Sequence, residues 1–443
     1  MTTTNASQAT ELCENIKISD RGTLLFAGRE AREIVSKYGS PVYVFDEERV
    51  RENCRRYKSA LLHHFGEEAL PLYASKAASF KRIYEIINEE GFGTDVVSSG
   101  EIYTAKLAGF PLSLAYFHSN NKTDADIAYA IDEGVGTFVV DNIEELRVID
   151  EVARSRGIRQ RVLLRLTPGI DPHTYAAVAT GNVDSKFGSA IETGQAFTIT
   201  KEALEMSGIS LQGFHCHVGS QVFDSDVFVR AAVIMLDFIK EVKDELGFEA
   251  RELDLGGGFG VRYTVSDAHL DIDAVIGEIA DIVKSTVKNL GIKMPKIRFE
   301  PGRSIVADTC VTLYTVGTVK RIPGYKNYVS TDGGMTDNPR FALYGSRYTV
   351  AHADKMTAEC TLNCSLVGRC CESGDILQEN VTLPEDTKRG DLIAVFTTGA
   401  YNYSMASNYN RIGKLPVVMI DKDGRDYLAV RRESPEDVAR FDV

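Results

Sequence analysis

The feature that most constrains this chain is an alternation of short apolar runs and helical segments between residues 72 and 299. Runs rich in β-branched or aromatic residues are separated by stretches whose apolar residues recur at helical spacing. The runs are Leu72–Ser75, Gly93–Val97, Ala115–His118, Thr137–Val140, Val162–Leu166, Leu211–His215, Glu252–Leu255 and Lys296–Phe299. Eight strand–helix repeats over about 230 residues favour a (β/α)8 barrel of the TIM type, within the α/β class. An open doubly wound sheet would normally have about five or six strands and a glycine-rich turn after the first, so it fits less well.

The sequence on either side of the barrel pattern is organised differently. After about residue 304, strand-like runs follow one another without long helices between them, and Asp423-Gly424 lies between two of these runs as a hairpin turn. We therefore predict that residues 41–304 form the barrel and residues 305–443 a β-rich domain. A short strand at Thr23–Phe26 precedes the barrel pattern, so residues 1–40 are predicted to join the β domain.

Composition and charge limit the classes of function. The 443-residue chain is 44% hydrophobic and 26% charged, with a formal net charge of −13. This acidity argues against nucleic acid or an anionic membrane as the main partner. No apolar run approaches the ~20 residues of a membrane span, and residues 1–15 do not resemble a signal peptide. The 8 cysteines lack a disulfide or zinc spacing, so we predict a cytoplasmic protein with reduced thiols and no metal site.

Polar side chains end the predicted barrel strands. In a barrel of this type, catalytic groups come from the carboxyl ends of the strands. The residues at these ends are Lys76, Asp95, His118 with Asn120, Asp141, Arg165, His215 with His217, Gly256–Gly260 and Glu300–Ser304. A structural ion pair would explain any one of them alone, and it is the better explanation for His118 or Asp141 taken singly. Because all of these residues lie at the carboxyl ends of the predicted strands, together they predict an active site on one rim.

Lys76 has two interpretations. In the interior, desolvation lowers the pKa of a lysine, and its neutral amine can then form a Schiff base with a carbonyl compound. Alternatively, only the stem is buried and the ammonium reaches water. The residues that share the predicted rim favour the first interpretation.

The glycines after the seventh strand complete a set of groups that suits one cofactor. Gly256–Gly258 can form an anion nest, and a barrel's phosphate site usually lies after strands seven and eight. A reactive lysine, a phosphate nest, a carboxylate and imidazoles match pyridoxal phosphate. Glu300 would keep the ring nitrogen protonated, and His217 would stack on the ring. His215 alternates to the other side of the strand and is expected to be a packing residue or one that supports the site without touching the cofactor.

With these motifs the chain resembles the fold-type III, alanine-racemase-like pyridoxal phosphate-dependent decarboxylases. The resemblance extends from about Pro41 to Arg411. It rests on the segments Tyr73–Ala77, Gly93–Ser98, Thr180-Gly181 with Ser185–Gly188, His217–Gln221, Gly256–Gly260, Glu300–Arg303, Arg340–Tyr344, Cys371–Asp375, Gly399–Tyr401 and Met405–Asn410. One departure is Tyr175, where relatives frequently have a second histidine. It leaves the shape of the pocket open.

The resemblance implies roles for individual residues. The residues implied in cofactor binding are Lys76, Asp95, His217, Ser220, Gly256, Gly257, Gly258, Glu300, Gly302, Arg303 and Tyr401. Those implied in substrate binding are Arg303, Arg340, Tyr344, Glu372 and Tyr401. Cys371 is implied as the group that protonates the substrate carbon after CO2 leaves, so the catalytic residues are Lys76, His217 and Cys371. The resemblance also implies a homodimer in which Cys371 and Glu372 reach across to the other chain's site.

The same resemblance implies that the chain decarboxylates meso-2,6-diaminopimelate to L-lysine and CO2, the last step of lysine biosynthesis. Two alternatives stay open. The substrate could be another basic amino acid, such as ornithine, arginine, D-lysine or carboxynorspermidine, or the chain could be a non-catalytic protein that binds the cofactor. Lys76 and Cys371 are both present, which disfavours the second alternative.

Overall fold

The computed structural model describes residues 5–170 and 185–443. The sequence motif Thr180-Gly181 and the departure at Tyr175 lie outside these residues. By contact, the chain divides into a barrel unit, residues 53–260 and 270–302, and a β unit, which takes the residues up to 52 together with 261–269 and 303–443.

The strands are numbered in chain order. They are β1 (Ile16–Ile18), β2 (Leu24–Phe26), β3 (Arg29–Glu30), β4 (Val42–Asp46), β5 (Leu70–Ala74), β6 (Gly93–Val96), β7 (Ala115–Phe117), β8 (Thr137–Val140), β9 (Gln160–Thr167), β10 (Ser189–Ala190), β11 (Ile209–Cys216), β12 (Glu252–Asp254), β13 (Lys296–Phe299), β14 (Cys310–Arg321), β15 (Asn327–Thr331), β16 (Val350–His352), β17 (Cys360–Val367), β18 (Ile376–Pro384), β19 (Leu392–Phe396), β20 (Val417–Ile420) and β21 (Asp426–Val430).

The α-helices are numbered in the same way. They are α1 (Asn5–Thr10), α2 (Ala31–Tyr38), α3 (Glu47–Phe65), α4 (Lys81–Glu89), α5 (Ser99–Leu107), α6 (Asp124–Asp132), α7 (Ile143–Ser155), α8 (Gln195–Glu205), α9 (Ser225–Leu246), α10 (Ile272–Leu290), α11 (Arg303–Val306), α12 (Arg340–Tyr344), α13 (Asn402–Met405) and α14 (Pro435–Ala439). No helix in the described ranges is long and apolar enough to cross a membrane.

The barrel unit is a closed parallel barrel. Its eight strands follow the order β5-β6-β7-β8-β9-β11-β12-β13, and β13 pairs back to β5. Each predicted barrel strand is present, which confirms the (β/α)8 fold. The short strand β10 pairs only with β9. Between the strands, amphipathic helices bury one face; Gly247 ends α9 with φ +66°, a backbone angle that glycine adopts without strain.

The β unit contains a nine-stranded sheet. Its main path is β18-β17-β15-β14-β4-β20-β21, and β19 joins β14 to β16. The strands β1, β2 and β3 form a separate antiparallel sheet whose apolar residues share a core with β14 and β19. The strands β20 and β21 form the predicted hairpin around Asp423-Gly424.

The strand β4 marks a difference from the predicted domain boundary. It lies between β14 and β20, so the chain up to residue 52 belongs to the β unit, whereas the sequence pattern began the barrel at residue 41. All five residues of Val42–Asp46 are buried. A run buried on both faces carries no periodicity that could assign it to one of two sheets, so the pairing was decided by tertiary contacts.

Candidate active site

The carboxyl ends of the barrel strands carry the polar side chains of the candidate site. Asp95 lies within β6, His215 lies within β11 and Asp254 ends β12, while His118 and Glu300 directly follow β7 and β13. Because these strands are parallel and the barrel is closed, their carboxyl ends meet at one rim. The rim gathers side chains that are far apart in the sequence.

Glu300 lies between two imidazoles. His118 Nε2 is 2.6 Å from Glu300 Oε1, and His215 Nε2 is 3.2 Å from Glu300 Oε2. All three side chains are buried, and the two rings meet edge to face with centroids 4.9 Å apart. Burial opposes ionisation of Glu300, but the two imidazoles outweigh it and hold its pKa well below the usual range. Glu300 is therefore a buried carboxylate that stays negatively charged.

Two neighbouring carboxyl groups behave differently. Burial raises the pKa of Asp95 to about 6, even though the charge of His118 opposes the shift. Burial and the negative charge of Glu300 raise the pKa of Asp254 well above its usual value. Asp95 Oδ1 and Asp254 Oδ2 have no hydrogen-bond partner within residues 5–170 and 185–443. The rim thus combines an ionised Glu300 with an Asp254 that favours the protonated form.

His217 is positioned by the residues after β12. The Gly257 N–H donates to His217 Nδ1 at 3.3 Å, which leaves the proton of the neutral ring on Nε2. Burial and then the charge of Lys76 lower the pKa of His217 well below its usual value. A neutral, half-buried ring of this kind suits stacking better than acid–base work.

Gly256–Gly258, which we call the glycine loop, is held close to two strand ends. A Cβ on Gly257 would lie 2.0 Å from the Glu300 carbonyl oxygen, and one on Gly258 would lie 2.0 Å from the Gly219 carbonyl oxygen. Only glycine fits such contacts, whatever the loop binds.

The predicted phosphate nest has fewer available backbone N–H groups than the sequence indicated. The Gly256 N–H donates to Asp254 Oδ1 at 2.8 Å, and the Gly257 N–H is used by His217. Gly258 N–H makes no hydrogen bond to a described residue. Within the glycine loop, the amide left for an anionic ligand is therefore that of Gly258. The half-buried Ser220 lies beside Gly219, against which Gly258 packs.

Lys76 is not the last residue of its strand. The strand β5 ends at Ala74, and Lys76 lies in the single 3-10 turn Ser75–Ala77, with its side chain exposed. This differs from the interior position that the first interpretation assumed. After burial, the charge of Lys76 is among the influences on the pKa of Asp95 and of His217, so the amine acts on the rim. Gly302 allows a close approach here, since a Cβ on it would lie 2.8 Å from Ala74 Cβ.

Asp141 and Arg165 have structural partners near the rim. The Gly188 N–H donates to Asp141 Oδ1 at 3.0 Å, and Arg165 Nε is 3.9 Å from the same oxygen. Arg165 also lies over the Phe187 ring, 4.3 Å from its centroid. These contacts tie the motif Ser185–Gly188 to the ends of β8 and β9.

In the β unit, four of the predicted residues, Tyr401 among them, form one cluster. Arg303 Cζ is 4.8 Å and Arg340 Cζ is 5.0 Å from the centroid of the Tyr401 ring, and Arg340 Cζ is 5.2 Å from that of Tyr344. Arg303 Nη1 also donates to Tyr263 Oη at 2.7 Å. We call these five residues the arginine–tyrosine cluster.

The arginine–tyrosine cluster places two guanidinium groups in the interior. Both guanidinium groups are buried, with residue exposures of 6% for Arg303 and 7% for Arg340. Arg340 forms no ion pair with a described residue, and its Nε has no hydrogen-bond partner there. Buried cations are costly unless an anion neutralises them, and arginine recognises carboxylate and phosphate through paired hydrogen bonds.

Cys371 and Glu372 lie in an exposed loop between β17 and β18. The Cys371 N–H donates to Asn410 Oδ1 at 2.8 Å, and Tyr409 Oη donates to Glu372 Oε2 at 3.3 Å. In the part of the chain that the structure describes, these two residues contact the segment 409–410 and not the arginine–tyrosine cluster.

Sequence reasoning missed some residues of these sites. Asp254 is an acidic residue between two leucines in the run Leu253-Asp254-Leu255, and this placement could have identified it as a site residue. Tyr263 lies outside any motif and gave none. His118 was seen at a strand end but interpreted as a structural pair, because its partner Glu300 is remote in sequence.

Two groups of side chains among the described residues have metal-ligating atoms within 4.8 Å of one another. One is the buried set His118, His215 and Glu300, and the other is the more exposed set His63, His64 and Asp273. In the buried set, both imidazoles pair directly with the carboxylate. This pairing explains why the three side chains lie so close together.

Comparison with known proteins defines the class first. Residues 47–307 match the family model of the pyridoxal-dependent decarboxylase pyridoxal-binding domain. The chain therefore belongs to the pyridoxal-dependent decarboxylases, and pyridoxal 5'-phosphate is its cofactor. Within this class it belongs to the diaminopimelate decarboxylase family, because curated members match nearly its whole length.

The individual matches are close in sequence and structure. The diaminopimelate decarboxylase of Bacillus methanolicus is 43% identical over 417 residues, covering 94% of this chain and 96% of that protein. That of Bacillus subtilis is 42% identical, covering 96% of each. A crystal structure of the M. jannaschii diaminopimelate decarboxylase in complex with L-lysine has a TM-score of 0.88 at 33% identity, covering 97% of this chain and 98% of that one.

The rim residues fit the cofactor by their chemistry. Lys76 would supply an accessible amine for the aldehyde, Glu300 a charged partner for the ring nitrogen, and His217 a neutral aromatic face. The Gly258 amide is available to the phosphate. Asp95 Oδ1, buried and without a partner, is a further polar atom that a bound molecule would satisfy.

Proposed function

We propose that this chain decarboxylates meso-2,6-diaminopimelate to L-lysine and CO2. The observation that carries the proposal is the arginine–tyrosine cluster, with two buried guanidinium groups around one tyrosine ring. This substrate keeps a second carboxylate after the first has left, and that carboxylate needs cationic partners. The chain's relatives are named for the same substrate.

The barrel rim prepares the chemistry through its charges. When bound at Lys76, pyridoxal phosphate supplies an electron sink for the electron pair left on the substrate carbon as CO2 departs. Glu300, held ionised, keeps a proton on the ring nitrogen. His217 would stack on the ring face as a neutral imidazole, and Gly258 N–H and Ser220 would hold the phosphate. The burial of Asp95, Asp254 and Glu300 excludes water from this end of the barrel.

The β unit supplies substrate contacts and a proton. Arg303, Arg340, Tyr344 and Tyr401 bind the distal carboxylate, and Glu372 binds the distal ammonium. Cys371 Sγ gives its proton to the substrate carbon. Since Cys371 and Glu372 are exposed in the single chain, we propose that they serve the site of a second copy in a homodimer.

The substrate assay tests this function directly. The purified protein with saturating pyridoxal phosphate should release CO2 and L-lysine in equal amounts from meso-diaminopimelate. Absence of turnover would contradict the proposal. Lys76→Ala should abolish turnover and the near-visible absorbance of the lysine-bound cofactor, while a control, Lys81→Ala on the surface of α4, should keep both.

A substrate panel separates the alternatives. Ornithine, arginine, D-lysine and carboxynorspermidine should each be turned over far more slowly than meso-diaminopimelate, since they lack its pair of amino-acid ends. A lysine/ornithine decarboxylase from Vibrio vulnificus has a TM-score of 0.74 to this chain at 26% identity, so the panel includes its substrates. Cofactor absorbance without turnover of any compound would instead favour a non-catalytic protein.

The cysteines and the net charge support a proposal about the location and partners of the protein. All eight cysteines, Cys13, Cys54, Cys216, Cys310, Cys360, Cys364, Cys370 and Cys371, are free of disulfides. We therefore propose a reducing, cytoplasmic location. The net charge of −13 supports a small-molecule substrate without a nucleic-acid or membrane partner.

A further inference from the structure

The Glu300 carboxylate is paired with two histidines, one at each oxygen, and this arrangement indicates a function for the histidines themselves. We propose that His118 and His215 are positioning residues that keep Glu300 ionised and fix the orientation of its carboxylate toward the cofactor's ring nitrogen. The inference deepens the proposed function and rests on the proposed role of Glu300.

The geometry restricts Glu300 from both sides. Each carboxylate oxygen faces a different imidazole, Oε1 at 2.6 Å from His118 and Oε2 at 3.2 Å from His215. The histidines come from β7 and β11, on different sides of the barrel, so the carboxylate cannot rotate without losing one of them. The Glu300 N–H donates to the Gly256 carbonyl at 2.8 Å, which fixes the backbone as well.

The electrostatic surroundings make this pairing necessary. A buried carboxylate without partners takes up a proton, and a neutral Glu300 could not hold a proton on the ring nitrogen. The other groups that share the electrostatics of Glu300 are Asp95, Arg165, Cys216, His217 and Asp254, with Lys76 acting on His215, His217 and Asp95. The carboxylate of Asp95 is a like charge that opposes ionisation of Glu300, whereas Asp254 favours its protonated form. The imidazoles are the partners that face its oxygens directly.

A purely structural role for the two histidines makes a different prediction. The β unit contains a comparable buried pair, His352 Nε2 with Asp391 Oδ2 at 2.9 Å, which provides a matched control. Loss of either pair should cost stability. Only loss of the Glu300 pair should change how the protein holds its cofactor.

The first measurement is cofactor affinity. His118→Gln and His215→Gln keep a neutral donor but remove the ionisable ring. We expect the Kd for pyridoxal phosphate, measured by absorbance titration, to rise roughly tenfold to a hundredfold in each, the effect of losing one close imidazole partner of the Glu300 carboxylate. His352→Gln should stay within about twofold of wild type at equal helical content by circular dichroism.

The second measurement needs no cofactor. The chain has 8 histidines, and 15N-histidine labelling with NMR follows their titration in the cofactor-free protein. Replacing Glu300 by Gln removes a negative charge that raises the pKa of His215, so the pH midpoint of this imidazole should fall while that of His352 stays unchanged. His215→Gln and His352→Gln each assign one signal.

Wild-type Kd in both glutamine variants would overturn the inference, as would histidine titrations that Glu300→Gln leaves unchanged. If His118→Gln or His215→Gln does not fold, the comparison of wild type with Glu300→Gln still decides, because both proteins keep all 8 histidines and the signals that move are read directly. Neither measurement uses substrate, so failure of the diaminopimelate assay would overturn the proposed function and leave this inference standing on its own result.

Discussion

At the scale of single residues, burial decides which groups carry charge. Asp337 in the β unit shows this outside the candidate sites. Tyr314 Oη donates to its Oδ2 at 2.6 Å and the Gly334 N–H donates to its Oδ1 at 2.9 Å. Burial nevertheless raises the pKa of Asp337 to about 7 from the ordinary 3.8. In the folded state the protonated form of Asp337 is therefore favoured at any pH below about 7.

The pH dependence of Asp337→Asn follows from that shift. Because the folded pKa lies above the unfolded one, the contribution of Asp337 is fully present below pH 3.8 and is lost as the pH rises through about 7. Relative to the asparagine variant, wild type should lose ~2–3 kcal/mol of unfolding free energy between about pH 5 and pH 8. Urea unfolding of both proteins at the two pH values measures it. Parallel changes in the two proteins would contradict the expectation.

At the scale of elements, the glycine loop shows how closely backbones approach at the rim. A Cβ on Gly257 or Gly258 would meet a backbone carbonyl oxygen first, that of Glu300 or Gly219, and not the tip of a flexible side chain. Backbone cannot move aside as a side-chain tip can, so the loop tolerates no Cβ at Gly257.

Gly257→Ala should therefore disturb both stability and the site. A Cβ 2.0 Å from the Glu300 carbonyl forces the loop or the end of β13 to shift. We expect a loss of about 1–3 kcal/mol in unfolding free energy and a weaker Kd for pyridoxal phosphate. The matched control is Gly100→Ala in α5, where the nearest atom is 3.7 Å away, and its effect on both quantities should be small. Equal behaviour of the two variants would count against the close-approach argument.

At the scale of the whole molecule, the proposed dimer assigns the parts of one site to two chains. Cys371 and Glu372 are exposed in the single chain although the resemblance implies that both act in catalysis. A residue that acts only when a second copy covers it would be exposed in the single chain and still be needed for catalysis.

Mixing inactive variants tests the shared site. Lys76→Ala and Cys371→Ala should each be inactive alone, and after mixing and subunit exchange the activity should recover to about one quarter of wild type, since half the dimers would have one complete site. Lys76→Ala mixed with Glu300→Gln should stay inactive, because both changes affect the same barrel. No recovery in the first mixture, with exchange demonstrated by differently tagged chains, would show that Cys371 acts within its own chain.

Much of the fold was readable from the sequence because its signals are local. Strand and helix periodicities depend on residues a few positions apart, so the eight barrel strands were predicted close to their observed bounds. The strand-end rule then placed Asp95, His217 and Glu300 on one rim without knowledge of any contact.

Other features were decided by the tertiary structure alone. The sequence could not assign Val42–Asp46 to the β unit, because a fully buried strand has no preferred face. It could not show that Gly256 and Gly257 use their amides on Asp254 and His217, or that Lys76 is exposed. The charge of Glu300 is the clearest case: residues 118, 215 and 300 meet only when the barrel closes, and a carboxylate's ionisation depends on distances of a few ångströms that no sequence spacing specifies.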